Sequence, residues 1–233
     1  MPSRSFYVFL GLLALAGAGW LAYSVTRAPS GATVSAMPLE DLGDAQALLD
    51  AAQGVDGGSP DAPVHVMVFS DFTCPSCKHF NEVVEPRLQS ELIATGKVRY
   101  TYHDYPLDPL AREGNSHRHG LLAARAARCV AEQGRFWEFH DLLFERQQQW
   151  SFDRRPPFER LEQYAAEVGA QVEPFRACLD GDAHTQVIMA NRMLGDSLHI
   201  TGTPTTYVEG RVLDPWDSYD ALVALVEEAL ARR

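Results

Sequence analysis

The chain lacks any stretch of basic residues that could follow a phosphate backbone. Its 233 residues include 20 lysines and arginines against 31 aspartates and glutamates, which gives a formal net charge of −11. This balance argues against nucleic-acid binding, because proteins that bind nucleic acids neutralise phosphates with clustered basic side chains. Hydrophobic residues make up 46% and aromatic residues 10% of the sequence, which indicates a packed globular core and argues against disorder.

Long apolar runs are also scarce, and the one that stands out lies at the N-terminus. Residues 6–23 (FYVFLGLLALAGAGWLAY) carry no charge, and as a helix they would reach about 27 Å, near the lower limit for crossing a bilayer. We predict that residues 1–27 form an uncleaved signal anchor, with a cleaved signal peptide as the alternative. Either interpretation places the rest of the chain outside the cytoplasm, in the periplasm or at the outer face of the cytoplasmic membrane.

Cysteine is rare, with four in the whole chain. Outside the cytoplasm disulfides persist, so an even number of cysteines favours pairing. Four cysteines allow three sets of pairs. Cys74 and Cys77 are three positions apart, whereas Cys129 and Cys178 stand alone in segments with helical spacing.

The close pair lies between a predicted strand and a predicted helix. Residues 64–69 (VHVMVF) are nearly all apolar, as in a strand buried on both faces. Residues 78–95 then show helical spacing, with a kink expected at Pro86. Residues 97–103 (KVRYTYH) alternate like a second strand. The order predicts a βαβ unit with the cysteines at its first strand-to-helix junction.

The remainder predicts a helical block followed by a return to the sheet. Residues 202–208 have the pattern of a strand that begins after a proline, and residues 209–210 have the pattern of a hairpin turn. Residues 219–230 have the pattern of a terminal helix. We therefore expect an α/β domain over residues 57–233 that holds a helical insertion at about 107–198. Residues 28–56 are expected to form a linker and a short helix. Predicted helices of the insertion cover residues 117–132, 135–150, 159–168, 174–179 and 184–198.

Thiol–disulfide exchange explains why two cysteines would stand at the start of a helix. The first turn offers unpaired backbone N–H groups and the positive end of the helix dipole, so a sulfur there ionises more readily. Cys74 is the predicted nucleophile, and Cys77, one turn later, the thiol that resolves a mixed disulfide on Cys74. Pro75 suits the opening turn, where its missing N–H costs nothing. A static disulfide and half of a zinc site are the alternatives for this pair.

Several motifs together resemble the DsbA-like thioredoxin-domain family of bacterial extracytoplasmic thiol–disulfide oxidoreductases. The resemblance covers roughly residues 57–230, and the CPSC and GTPT elements are specific in combination. It implies a thioredoxin fold interrupted by a helical subdomain. The motifs lie at residues 70–77 (SDFTCPSC), 85–86 (EP), 96–98 (GKV), 103–107 (HDYPL), 132–137 (EQGRFW) and 202–205 (GTPT).

The resemblance also implies a substrate groove, substrate proteins and a membrane partner. In the family a proline in cis stacks against the cysteine pair, and the preceding residue pairs with an extended substrate; Pro204 and Thr203 match these positions, beside Pro75 and Ser76. Substrates would be exported cysteine-containing proteins. A membrane reoxidase of the DsbB or vitamin-K-epoxide-reductase type would reoxidise the pair. The redox disulfide itself would serve in place of a cofactor, and no metal is expected.

The sequence departs from the pattern at one position. Thioredoxin-like proteins often carry a buried carboxylate six residues before the nucleophile, and here that residue is Val68. Asp71 is the nearest acid, and we consider it for proton transfer, with shaping of the turn as its alternative. The Pro75-Ser76 dipeptide lacks the histidine of the strongest oxidants in the family, so a reductase or isomerase remains open, as does a non-catalytic binding module or metallochaperone.

The two distant cysteines, Cys129 and Cys178, are predicted to form a structural disulfide within the insertion. Their bond would close a loop of about 50 residues, for which the chain-entropy model gives about 4 kcal/mol. Two buried free thiols and a second redox relay are the alternatives.

Overall fold

The structure is a computed structural model that describes residues 45–108 and 118–233. The predicted N-terminal anchor at residues 1–27 lies outside the described residues, as does most of the predicted linker. Within the two described ranges, no helix combines the length and the apolar character needed to cross a membrane.

A mixed five-stranded sheet forms the centre of the domain. The strands are β1 (Val55–Gly57), β2 (Val64–Ser70), β3 (Val98–Asp104), β4 (Thr205–Val208) and β5 (Arg211–Val212), in the spatial order β1-β3-β2-β4-β5. The central strand β2 runs parallel to β3 and antiparallel to β4. The crossover between β2 and β3 contains the helix that the sequence predicts after the cysteine pair.

Within the described ranges the helices are α1 (Ala45–Ala51), α2 (Pro75–Val83), α3 (Glu85–Arg87), α4 (Gly120–Ala131), α5 (Phe136–Glu145), α6 (Gln147–Trp150), α7 (Phe158–Glu167), α8 (Val172–Asp180), α9 (Thr185–Ser197) and α10 (Tyr219–Ala231). A short π-helical segment, Leu88–Ile93, continues α3. Helices α4 to α9 form the predicted insertion between β3 and β4, and α10 follows the last strand. The thioredoxin-like α/β class with a helical insertion is confirmed.

Two details of the first half differ from the sequence-based expectation. In place of the single kink expected at Pro86, the helix predicted over residues 78–95 is divided: α2 ends at Val83, α3 begins at Glu85, and a π-helical segment follows. Pro86 accounts for the break, because a proline ring clashes with the carbonyl four residues earlier and donates no hydrogen bond. Strand β1, which pairs antiparallel with β3, was not predicted, since three residues are too short to show a period.

The sheet separates two groups of buried side chains. Val64, Val66 and Val68 of β2 belong to the larger core, which also holds residues of α2 and α10. Phe69 points into a smaller cluster with Tyr105. Helix α9 approaches this cluster through Gly195, where a Cβ atom would lie 2.6 Å from the Tyr105 ring. The alternation of β2 therefore anchors helices on both faces of the sheet.

The insertion is cross-linked by a disulfide. Cys129 of α4 and Cys178 of α8 are bonded, with 5.7 Å between their Cα atoms and a separation of 49 positions in sequence. The pairing expected from the sequence is therefore present in the structure. It joins two helices that also pack against each other.

We predict that replacing this cross-link by Cys129→Ala/Cys178→Ala lowers the free energy of unfolding by up to about 4 kcal/mol, because the denatured chain regains the freedom of a 49-residue loop. Urea unfolding followed by circular dichroism measures the change. The control is Cys74→Ala/Cys77→Ala, which removes two buried sulfurs and leaves the cross-link intact. Equal stability of the two double variants would contradict a stabilising role.

Candidate active site

The sheet brings the two distant redox motifs together. Because β4 runs antiparallel to β2, its first residue lies beside the end of β2, and Phe69 is paired with Thr205. The residues just before β4 therefore meet the residues just after β2. The Thr203–Pro204 peptide bond is cis, and the Cys74 Sγ donates to the Thr203 carbonyl oxygen at 3.3 Å.

Cys74 occupies the N-cap of α2 and is 7% exposed. The pKa of its thiol is lowered from the ordinary value of 9.0 to about 6, chiefly by a hydrogen bond from the Cys77 thiol. Burial opposes this shift, whereas the side-chain hydroxyl of Thr203 and the backbone N–H groups of Ser76 and Cys77 favour the thiolate. The opening turn of α2 thus supplies the donors that the sequence predicts.

Cys77 has the opposite character. Its side chain is buried inside the first turn of α2, and burial raises the pKa of its thiol well above 9.0, with the hydrogen bond to Cys74 acting in the same direction. The Ser70 hydroxyl and the backbone at Asp71 partly offset this effect. The two sulfurs, one turn apart, are therefore strongly unequal as acids, and both are free thiols here.

Asp71 is buried beneath the loop that carries Cys74. One carboxylate oxygen accepts hydrogen bonds from the backbone N–H and the hydroxyl of Thr73, both at 2.8 Å, and the other accepts from the Leu107 N–H at 2.9 Å. A Cβ atom at Gly120 of α4 would lie 2.8 Å from this carboxylate, so a larger residue there would displace the carboxylate from these hydrogen bonds. These contacts shape the turn, and a proton-transfer role for Asp71 stays a prediction.

Gln147 is a site residue that the sequence did not reveal. It is buried in α6, and its side-chain amide donates to the carbonyl oxygens of Phe72 and Cys74, each at 2.9 Å. The helical insertion thus holds the backbone on both sides of Thr73. No local pattern identifies this residue, because its partners lie more than seventy positions earlier in the chain.

An open groove lies beside the pair, on the side of Pro204. It has a volume of about 480 Å³ and runs from Ser76 past the residues before β4 to the segment after β5. Its lining includes Gly202, Thr203, Pro204, Thr205, Asp214 and Trp216. The predicted groove residues Ser76, Thr203 and Pro204 are therefore together on one surface next to the nucleophile.

We predict that alkylation of the reduced protein by iodoacetamide distinguishes the two thiols. The reaction needs a thiolate, and the thiolate fraction rises as pH increases through the pKa. The Cys74 rate should be half-maximal near pH 6, while Cys77 should stay unmodified through pH 9. Peptide mass analysis after a pH series measures both rates. A half-maximal Cys74 rate near pH 9 would refute the shift.

We predict that Gln147→Leu lowers the free energy of unfolding by about 1–3 kcal/mol, since it leaves two buried carbonyl groups without their donor. The matched control is Gln148→Leu, at an exposed position of the same helix, where a change within about 0.5 kcal/mol is expected. Urea unfolding of both variants makes the comparison. Equal losses would show that Gln147 does not support the active-site loop.

Comparison with known proteins indicates the family of the chain. Residues 51–228 match a family model described as Thioredoxin. Disulfide bond formation protein D of Bacillus subtilis is 29% identical over 173 residues, which cover 74% of this chain and 75% of that protein. The crystal structure of oxidised BdbD from Bacillus subtilis is 28% identical with a TM-score of 0.67, and the match covers 76% of this chain and 93% of that one.

A second kind of relative is much longer. The Na(+)/H(+) antiporter NhaA 3 of Salinispora tropica is 32% identical over 196 residues, and the match covers 82% of this chain but 28% of that protein. The chain thus spans less than a third of that relative, so this similarity does not indicate a transport activity for the chain. The family match over residues 51–228, together with the relatives that form disulfides, identifies the chain as a member of the thioredoxin family, in its DsbA-like group of thiol–disulfide oxidoreductases.

Proposed function

We propose that this protein oxidises cysteine pairs of exported proteins, with Cys74 as the attacked sulfur and Cys77 as the resolving one. The observation that carries the proposal is the inequality of the two thiols. Cys74, at the N-cap of α2, has a pKa of about 6, whereas the pKa of the buried Cys77 lies well above 9.0. Only the first sulfur is stable as a thiolate near neutral pH.

The reaction begins from the oxidised pair. A substrate thiolate attacks the Cys74 sulfur, the Cys74–Cys77 bond breaks, and Cys77 leaves with the bonding electrons and takes up a proton. A second substrate thiolate then attacks the substrate sulfur of the mixed disulfide, and Cys74 leaves as a thiolate. The substrate loses two electrons and the pair gains them. The low pKa of Cys74 makes it the better leaving group in this last step.

The same inequality favours the oxidising direction. Donors at the start of α2 stabilise the Cys74 thiolate, which exists only in the reduced protein. Stabilising the reduced form raises the reduction potential, so the disulfide is transferred to substrates more readily. The stabilised thiolate therefore favours a thiol oxidase over a reductase or isomerase, although the histidine of the strongest oxidants is absent between the two cysteines.

The groove supplies a place for the substrate chain. Thr203 and Pro204 border it directly beside Cys74, and the backbone of residues 202–205 borders its length. An extended peptide lying along this backbone would present its cysteine to the Cys74 sulfur. The resemblance to DsbA-like proteins supports an extracytoplasmic location and reoxidation by a membrane partner of the DsbB or vitamin-K-epoxide-reductase type. The redox disulfide needs no further cofactor, and Asp71 is kept as the candidate for proton transfer.

We predict that Cys74→Ser abolishes oxidation of a reduced dithiol peptide, because the variant cannot form the Cys74–Cys77 disulfide that accepts the two electrons, and the remaining Cys77 is buried. Cys77→Ser should instead accumulate a mixed disulfide when it is mixed with a peptide dimer linked by one disulfide: the Cys74 thiolate attacks that disulfide, one peptide leaves as a thiolate, and no Cys77 thiol displaces the bound peptide from Cys74. Mass spectrometry of intact, acid-quenched protein measures both outcomes. Full activity of Cys74→Ser would contradict the assigned roles.

The direction of exchange is tested with the same proteins. Equilibration of the wild type with glutathione buffers, followed by alkylation and mass measurement, gives the reduction potential of the pair. A thiol oxidase requires a value more positive than about −200 mV, the upper end of the glutaredoxin range. A value near the thioredoxin potential of about −270 mV would make this protein a reductase and refute the oxidase proposal.

A further inference from the structure

A second cluster of ionisable side chains lies away from the cysteine pair, where α3 meets α5. Glu85 of α3 faces His140 and Asp141 of α5, and Asn81 of α2 lies between the two carboxylates. None of these residues takes part in the redox chemistry proposed above. The sequence did not mark the cluster, because Glu85 and His140 are 55 positions apart.

His140 has one ring nitrogen without a partner. The side chain is 1% exposed, and its Nδ1 lies 2.9 Å from the Asp141 Oδ1. Its Nε2 is buried, has no hydrogen-bond partner within the described part of the chain, and lies 3.8 Å from the Glu85 Oε2. Hydrogen bonding of Nδ1 to a carboxylate leaves a lone pair on Nε2, aimed at the second carboxylate. Aromatic rings surround the imidazole: Phe72, Tyr102, Phe136, Trp137 and Phe144.

Glu85 is held in place by its own partners. The Tyr100 hydroxyl donates to Oε1, and the Asn81 side-chain amide donates to Oε2 at 2.8 Å. The same amide nitrogen lies 3.2 Å from the Asp141 Oδ1. A positive partial charge therefore already bridges the two carboxylates. Rotation of the Asn81 amide by half a turn would present its oxygen to the same point.

We propose that Glu85, His140 and Asp141 bind a divalent transition-metal ion of the Zn²⁺ type. One ligand atom from each residue lies within 4.8 Å of the other two. Two carboxylates and one imidazole are a donor set typical of zinc, whereas Ca²⁺ and Mg²⁺ prefer oxygen ligands alone. The ion would also give the buried Nε2 a partner.

An open groove gives solvent access to the cluster. It has a volume of about 630 Å³, and Glu85, His140 and Asp141 are all part of its lining. Glu82, Glu138 and Glu145 border the same groove. Their negative charge raises the local concentration of cations, which favours entry of a divalent ion.

A bound ion would join two parts of the fold. Glu85 follows the helix that begins at the cysteine pair, and His140 and Asp141 belong to the insertion. The other group of metal-ligating residue types in the described ranges, Cys129, Cys178 and His184, is a poorer candidate, since both sulfurs are consumed by the disulfide.

Titration of the full-length protein with Zn²⁺ tests the site independently of the redox function. The Cys74→Ser/Cys77→Ser background removes the thiols that would otherwise bind zinc. After chelator treatment and buffer exchange, calorimetric titration should give one Zn²⁺ per chain, and saturating Zn²⁺ should raise the midpoint of thermal unfolding. Asp141→Asn and Glu85→Gln should each weaken binding at least tenfold and remove the thermal shift.

The matched control is Glu138→Gln, which removes a carboxylate from the same groove without removing a ligand, and its affinity should change by less than threefold. His140→Gln should abolish binding; because this residue is buried, the two carboxylate variants decide the question if it fails to fold. Absence of saturable binding overturns the proposal. So does equal loss in Glu138→Gln and Asp141→Asn, which would indicate diffuse attraction by the acidic groove.

Discussion

The antiparallel pairing of β2 with β4 is the constraint on which the active site depends. It places the end of one strand beside the beginning of the other, so that Cys74 and Thr203, 129 residues apart, come into contact. A shift in this register by one residue would turn the buried face of β4 outward and separate the proline segment from the cysteines. The chemistry thus rests on main-chain hydrogen bonds in the middle of the sheet.

A single helical turn gives the two cysteines different acidities. The N-cap position of Cys74 leaves its sulfur next to backbone N–H groups, whereas Cys77 points into the core. Burial disfavours a charged sulfur and hydrogen-bond donors favour it. The donors prevail at Cys74 and burial prevails at Cys77, only three residues later. A sulfur that leaves easily and a sulfur that holds its proton are what a stepwise exchange requires.

The sequence alone predicts the part of the active site that is built from neighbouring residues. Strand, CxxC and helix are adjacent in the chain, and their apolar periods predict both the βαβ unit and the position of Cys74. The residues before β4 were identified by resemblance to a family. The contacts of Gln147 and the approach of Glu85 to His140 could not be predicted, because they join residues that are distant in the chain. Strand β1 was missed for another reason, since its three residues take their conformation from β3.

The side-chain amide of Gln147 has a consequence for how this architecture is divided. It belongs to the insertion, yet it supplies the donor for two carbonyl groups of the loop that carries the nucleophile. The insertion therefore contributes directly to the conformation of the active-site loop. A shortened protein that retained the sheet, both cysteines and the proline would still need another donor for these two carbonyl groups. Exchanging the insertion for that of a relative would therefore also change the conformation of the loop that carries Cys74.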